Sequence, residues 1–204
     1  MKKNGLNTLR TLLILTAFLL VGMALAFYFR PQPVDQRIAL GESLGGEFTL
    51  QTSEGSLKLS DLAGKAVVFY LGYTNCPDVC PTGLAVLSQA IHTLTPEEQA
   101  QVRGVFLSVD PERDSVDALK EYAAFFHPNI IGATGSREEI DRVVKRYGAF
   151  YRIGEETDSA SGYAVDHSSR LYLINQEGIL VSTLMHSSTP AEVAAGLKSI
   201  LNQG

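Results

Sequence analysis

The chain has 204 residues, 45% hydrophobic and 19% charged, with a net charge of −5 and two cysteines. A domain of this length buries its own core, so one short-loop disulfide is not needed to hold it folded. Beyond residue 30 the chain carries 13 basic and 22 acidic side chains, a net of −9, which argues against a nucleic-acid partner.

The first element is TLLILTAFLLVGMALAFYF, residues 11–29, which has no charge and lies between Lys2, Lys3 and Arg10 on one side and Arg30 on the other. At about 1.5 Å per residue, such a run crosses a bilayer core of about 30 Å. Ala24-Leu25-Ala26 resembles a signal-peptide cleavage site. The apolar run continues past it through Phe27, Tyr28 and Phe29, aromatic residues suited to a membrane interface, so the expectation is an uncleaved transmembrane helix. The basic flank places residues 1–10 in the cytoplasm and the remainder outside. The tethered domain then faces an oxidising space, where an unattended cysteine pair tends to become a disulfide.

Residues 30–45, rich in proline and glycine without an apolar period, read as a linker, and 46–204 as one domain. FTLQTSEGSLKLSDL, residues 48–62, has two alternating segments around Ser53-Glu54-Gly55, a hairpin signal. AVVFYL at 66–71 reads as a strand buried on both faces, and VFLSV at 105–109 as a second. Between them Leu84, Leu87, Ile91 and Leu94 recur at helical spacing. A helix is expected from Ser115 to about Phe126, then the short strand IIGAT, then a helix with Ser136 as N-cap, Glu139 completing a capping box and Gly148 at its end. RLYLI and ILVSTL flank Asn175-Gln176-Glu177-Gly178 as a second hairpin, and a last helix follows Pro190. The expected fold class is α/β, a mixed central sheet flanked by helices.

The loop leaving the first central strand is a favoured functional position in such folds. Here it reads YTNCPDVCPT, residues 73–82, and holds both cysteines. Proline biases Cys76 and Cys80 towards extended backbone. With Pro81 as the first helical residue, Cys80 would be the N-cap, its thiolate stabilised by the positive helix end. The spacing suits a disulfide, a redox pair or two arms of a metal clamp, and does not choose among them. Of the four histidines, His92 reads as a helix-surface residue, His127 as a cation at a helix end and His186, beside Met185, as a turn residue. His167 directly precedes a core strand, with a polar loop role as the simplest reading.

GYTNCPDVCP at 72–81 resembles the signature of the Sco (SenC) copper-chaperone family, and the similarity continues through VDPERD (109–114), TGSREEIDRV (134–143) and YAVDHS (163–168). The resemblance implies a thioredoxin-like fold and copper, as Cu(I) and Cu(II), bound by Cys76, Cys80 and His167. Asp78, Asp110, Asp114 and Asp166 lie near these positions in sequence and could orient a ligand, although capping or solvated loop roles serve equally well for Asp78, Asp110 and Asp114. The implied function is a membrane-anchored metallochaperone that delivers copper to the binuclear copper centre of cytochrome c oxidase subunit II. Another periplasmic copper carrier and a thiol reductant would be further partners. Two alternatives stay open: a thiol-disulfide reductase that uses Cys76 and Cys80 as its redox dithiol, and a copper or redox sensor. Thioredoxin-type enzymes carry CxxC and a cis-proline, whereas this chain has CxxxC and no proline near His167; Thr74 is also misplaced for a PxxxTxxC peroxidase. The acidic stretch EETDSASG, 155–162, is a candidate partner contact through charge.

Overall fold

The computed structural model describes residues 3–28, 44–155 and 162–202. The chain falls into two units, Met1–Glu42 and Ser43–Gly204. The described part of the first is one helix, α1 (Lys3–Tyr28), whose described side chains from Leu9 to Leu25 are all exposed. Among the described residues no helix is long and apolar enough to cross a membrane. The transmembrane helix expected over 11–29 is therefore matched by a helix but not by a described membrane span; Phe29 and residues 30–43 of the expected linker lie outside the described residues.

The second unit runs β1 (Thr49–Thr52), β2 (Gly55–Lys58), a 3-10 turn (Leu59–Leu62), β3 (Ala66–Gly72), α2 (Val79–His92), α3 (Pro96–Ala100) and β4 (Val102–Ser108). It continues through α4 (Val116–Phe126), β5 (Ile130–Ala133), α5 (Arg137–Arg146), β6 (Tyr151–Ile153), β7 (Val165–His167), β8 (Arg170–Ile174), β9 (Leu180–Met185) and α6 (Pro190–Leu201). The central sheet has the order β5-β4-β3-β8-β9. β3, β4 and β5 are parallel, whereas β8 runs antiparallel to β3 and β9 antiparallel to β8. β3 lies at the middle, with Phe69 opposite Val105 on one side and Tyr172 on the other. Every residue of β3 is buried, as its unbroken apolar run requires.

The two-residue period of β3 sends Phe69 and Tyr70 to opposite faces. Phe69 joins Phe48, Tyr147 and Tyr172, with ring centroids 4.7 Å from Tyr147 and 5.3 Å from Phe48. Tyr70 meets Phe106, which meets Tyr122, at 6.2 and 5.5 Å. Such ring pairs contribute about 0.5–1.5 kcal/mol each beyond their burial. α2 packs against α4 and α6, and Gly83 of α2 comes so close to Tyr70 that a Cβ would lie 2.6 Å from its hydroxyl.

Helix starts follow the local signals. Ser115, Ser136 and Thr189 each accept a backbone N–H of the first turn, the last two in full capping boxes, each cap contributing about 1 kcal/mol. A short helix and a two-stranded ribbon lie beyond the expected list, as does the 3-10 turn at Leu59–Leu62. α3 is a single capped turn from Thr95. The ribbon β6–β7 pairs Tyr151 with His167 and Ile153 with Val165, separate from the central sheet. Three-residue strands carry too little alternation to be seen in a sequence.

Candidate metal centre

The ligating atoms of Cys76, Cys80 and His167 all lie within 4.8 Å of one another. Three different elements bring them there. β3 ends at Gly72 and the chain turns through Tyr73–Cys76, closed by the Cys76 amide donating to the Tyr73 carbonyl at 3.3 Å. Cys80 follows in the first turn of α2. His167 ends β7, with its Nε2 3.2 Å from the Cys80 sulfur. The His167 Nδ1 lies 3.2 Å from the Ser168 carbonyl oxygen, so the ring is held with Nε2 towards the sulfurs.

α2 begins at Val79, with Asp78 at the cap, two residues earlier than placing Cys80 at the N-cap requires. Pro81 is then the third helical residue, where its missing N–H is still one of the unpaired first-turn donors. The consequence for charge is the reverse of the sequence expectation. Cys76, not Cys80, is the favoured thiolate: hydrogen bonds from the Cys80 side chain, from the Asp78 and Cys80 amides and from His167 outweigh burial and bring its pKa down to about 4. Cys80, fully buried, is held up by sharing its proton with Cys76 and by burial. Both cysteines are free.

A cleft of about 800 Å³ opens onto Cys76 and His167, with Pro77, Val79 and Phe150 among its walls, and Cys80 lies behind it. Phe150 is exposed at this rim. Tyr73 meets the His167 ring edge-on at 6.0 Å. Gly72 makes room for the site, since a Cβ there would lie 2.7 Å from the Cys80 sulfur.

The four acidic candidates separate. Asp166, the strand neighbour of His167, is exposed and pairs with exposed Arg152 at 2.6 Å, both of them in the wall of the cleft. Asp78 is exposed and reaches only Thr82 at 3.4 Å. Asp114 is buried and accepts the Thr74 amide at 2.9 Å and the Ser108 hydroxyl at 2.5 Å, bracing the cysteine loop, while Ser115 caps α4 instead. Asp110 is buried against Arg113 and accepts the Tyr163 hydroxyl at 2.7 Å. Sequence reasoning missed Gly72, Tyr73 and Arg113. A glycine closing an apolar strand beside a cysteine motif was the available signal for the first. His92 and His127 face each other at 4.7 Å and His186 lies 3.3 Å from the Ser169 carbonyl, none joining the cluster. Most of the acidic stretch 155–162 lies outside the described residues.

The SCO1/SenC family profile matches residues 36–202. Protein SCO1 homolog 1, mitochondrial, of Arabidopsis thaliana is 43% identical over 136 residues, 66% of this chain and 40% of that protein. The SCO2-like protein of Rickettsia felis is 31% identical over 199 residues, 94% of this chain and 97% of that one. The chain thus spans less than half of the Arabidopsis relative and nearly all of the Rickettsia one. Arabidopsis thaliana ScoI with copper bound superposes with a TM-score of 0.72 at 38% identity, covering 79% of this chain and 100% of that chain, and establishes the thioredoxin-like α/β fold with its mixed central sheet. By a profile match over most of its length and by these relatives, the chain belongs to the SCO1/SenC family.

Proposed function

We propose that this chain carries copper, bound by Cys76, Cys80 and His167, and delivers it to the binuclear copper centre of cytochrome c oxidase subunit II. The observation that carries the reading is the convergence of two sulfurs and one imidazole nitrogen within 4.8 Å at the base of an open cleft. Two thiolates select a soft ion such as Cu(I), and the imidazole makes the site acceptable to Cu(II) as well. With both sulfurs ionised the site has net charge −1 around Cu(I) and is neutral around Cu(II). The copper-bound Arabidopsis structure, whose crystallised chain is matched in full, supports the choice of metal.

The cleft sets an order for release. An acceptor sulfur entering it meets Cys76 and His167 first, and Cys80, with 0% exposure, is the ligand that lets go last. Residues 11–29 tether the domain to the bacterial inner membrane with the site on the periplasmic side, where a copper carrier loads it and a thiol reductant keeps the pair reduced. Oxidation of Cys76 and Cys80 to a disulfide releases two electrons and removes two ligands together, so loading requires reduction first.

The test is titration of the reduced full chain in detergent with Cu(I) and Cu(II). One ion per chain is expected, with His167→Ala weakening Cu(II) and Cys76→Ser weakening both. Unchanged copper binding by the Cys76→Ser, Cys80→Ser double variant would remove the site.

A second reading, reduction of the target's cysteines, is favoured by the asymmetry of the pair. Cys76 is the thiolate that faces the cleft, and Cys80 is the protonated thiol behind it. Cys76 attacks the target disulfide, Cys80 displaces the target from the mixed disulfide, and two electrons pass to the target's dithiol as Cys76–Cys80 forms. Mixing copper-free reduced chain with disulfide-form subunit II domain separates the two. Stoichiometric reduction without any transfer from the copper-loaded chain would favour the reductase.

A further inference from the structure

The turn after β4, Asp110 to Asp114, supplies no ligand yet reaches both parts of the chain that do. On one side Asp114, 1% exposed, holds Thr74 two residues before Cys76. On the other side Arg113 reaches the lead-in to β7. Its Nε pairs with Asp110, its Nη1 donates to the Tyr163 carbonyl at 2.9 Å, and its guanidinium carbon sits 3.7 Å from the Tyr163 ring centroid. The Tyr163 hydroxyl donates back to Asp110 at 2.7 Å, closing the contacts on one another. The same guanidinium is 5.5 Å from the ring of Tyr73, which abuts His167.

The ribbon that carries His167 needs such a hold. β6 and β7 pair only with each other among the described strands, over three residues each, and a two-stranded ribbon is marginal by itself. A metal constellation tolerates displacements of only about 0.5 Å. Cu(I) is satisfied by two thiolates, whereas Cu(II) draws more on the imidazole, so the two ions feel a displaced ribbon differently.

We propose that Arg113 is a positioning residue: through Tyr163 it sets where the His167 imidazole stands relative to the two sulfurs, and thereby how well the site takes Cu(II) relative to Cu(I). Positive charge alone does not suffice. A planar fork is needed to bond Asp110 and the Tyr163 carbonyl while stacking on the ring, which a lysine cannot do. The inference rests on the copper-binding reading above, and its test includes a measurement that needs no metal.

Arg113→Lys and Tyr163→Phe are made in the full chain, in detergent, and compared with Asp114→Asn. For Arg113→Lys, Cu(II) affinity falls about 10- to 100-fold, the range typical of lost supports behind a ligand, while Cu(I) affinity changes far less. The imidazole nitrogen coupling in the Cu(II) resonance spectrum weakens in parallel. In the copper-free chain, hydrogen exchange quickens over 164–168 and not over 74–80. Asp114→Asn gives the complementary pattern, faster exchange over 74–80 and both ions weakened. Tyr163→Phe, which removes only the hydroxyl contact to Asp110, shows the same Cu(II)-selective loss in smaller degree and serves where Arg113→Lys does not fold. Equal losses of Cu(I) and Cu(II), or unchanged exchange over 164–168, overturn the assignment. Cu(II) affinity in Arg113→Lys equal to that of the unaltered chain also overturns it. If the unaltered chain binds neither ion the copper reading fails, and the exchange measurement still decides whether Arg113 holds the ribbon.

Discussion

Replacing Gly72 by alanine tests how tightly the sheet is fitted to the site. The added Cβ would lie 2.6 Å from Phe106 Cε2, 2.7 Å from the Cys80 sulfur and 3.0 Å from Phe106 Cζ. Ordinary contact needs about 3.5–4.0 Å, so about 1 Å has to be found between the sulfur and the ring. Phe106 is fully buried between Tyr70 and Tyr122, and its ring has nowhere to turn. Overpacking of this kind costs about 1–3 kcal/mol, a fall in Tm of about 2–12 °C for a domain of this size. The sulfur is the softer partner, and a shift of more than about 0.5 Å spoils a metal constellation, so Cu(I) affinity should fall tenfold or more, on the order seen when a ligand loses its support. Gly104→Ala is the comparison: its Cβ would meet Ile130 at 3.0 Å and Leu87 at 3.2 Å, away from the sulfurs. It should lose stability and keep copper. Thermal melts of the reduced metal-free chain and competition against a chromophoric Cu(I) chelator give the two readings. A Gly72→Ala chain that melts as the parent does and competes equally well would refute the reasoning.

The cysteine pair should alkylate asymmetrically. With the Cys76 pKa down at about 4, its thiolate persists at neutral and mildly acid pH, so iodoacetamide should label Cys76 at a rate nearly flat from about pH 6 to 8, where an ordinary thiol near 8.5 rises steeply; peptide mapping showing a steep rise, or Cys80 labelled first, would contradict the assignment. His127 is buried, and burial together with neighbouring His92 lowers its pKa. The unfolded chain then holds more protons as pH falls below about 6.5, so this residue's contribution makes stability drop on acidification and stay level above that value. Urea denaturation of the metal-free chain at several pH values should show His127→Gln with a shallower acid slope; an identical slope would place the effect elsewhere.

Much of the fold was legible because its determinants are local. The unbroken apolar run of β3, the turn glycines Gly55 and Gly178, and the cap Ser136 stand where their chemistry indicated. The start of α2 was misplaced because proline is tolerated at any of the first helical positions, not the first alone. The β6–β7 ribbon was invisible, and with it the fact that His167 sits in a strand, because three-residue strands leave no period to read.

The sequence by itself determined which side chains can bind a soft metal ion and that two of them share one loop, since residue type and short-range spacing are properties of the chain. Only the tertiary structure decided the rest. It brought His167 to within 3.2 Å of Cys80 across 87 positions, made Cys76 the thiolate, and separated Asp114 and Asp110, which brace the site, from Asp166, which pairs with Arg152. Those outcomes depend on which amides, rings and strand faces packing turns towards a sulfur, and no spacing along the chain encodes that.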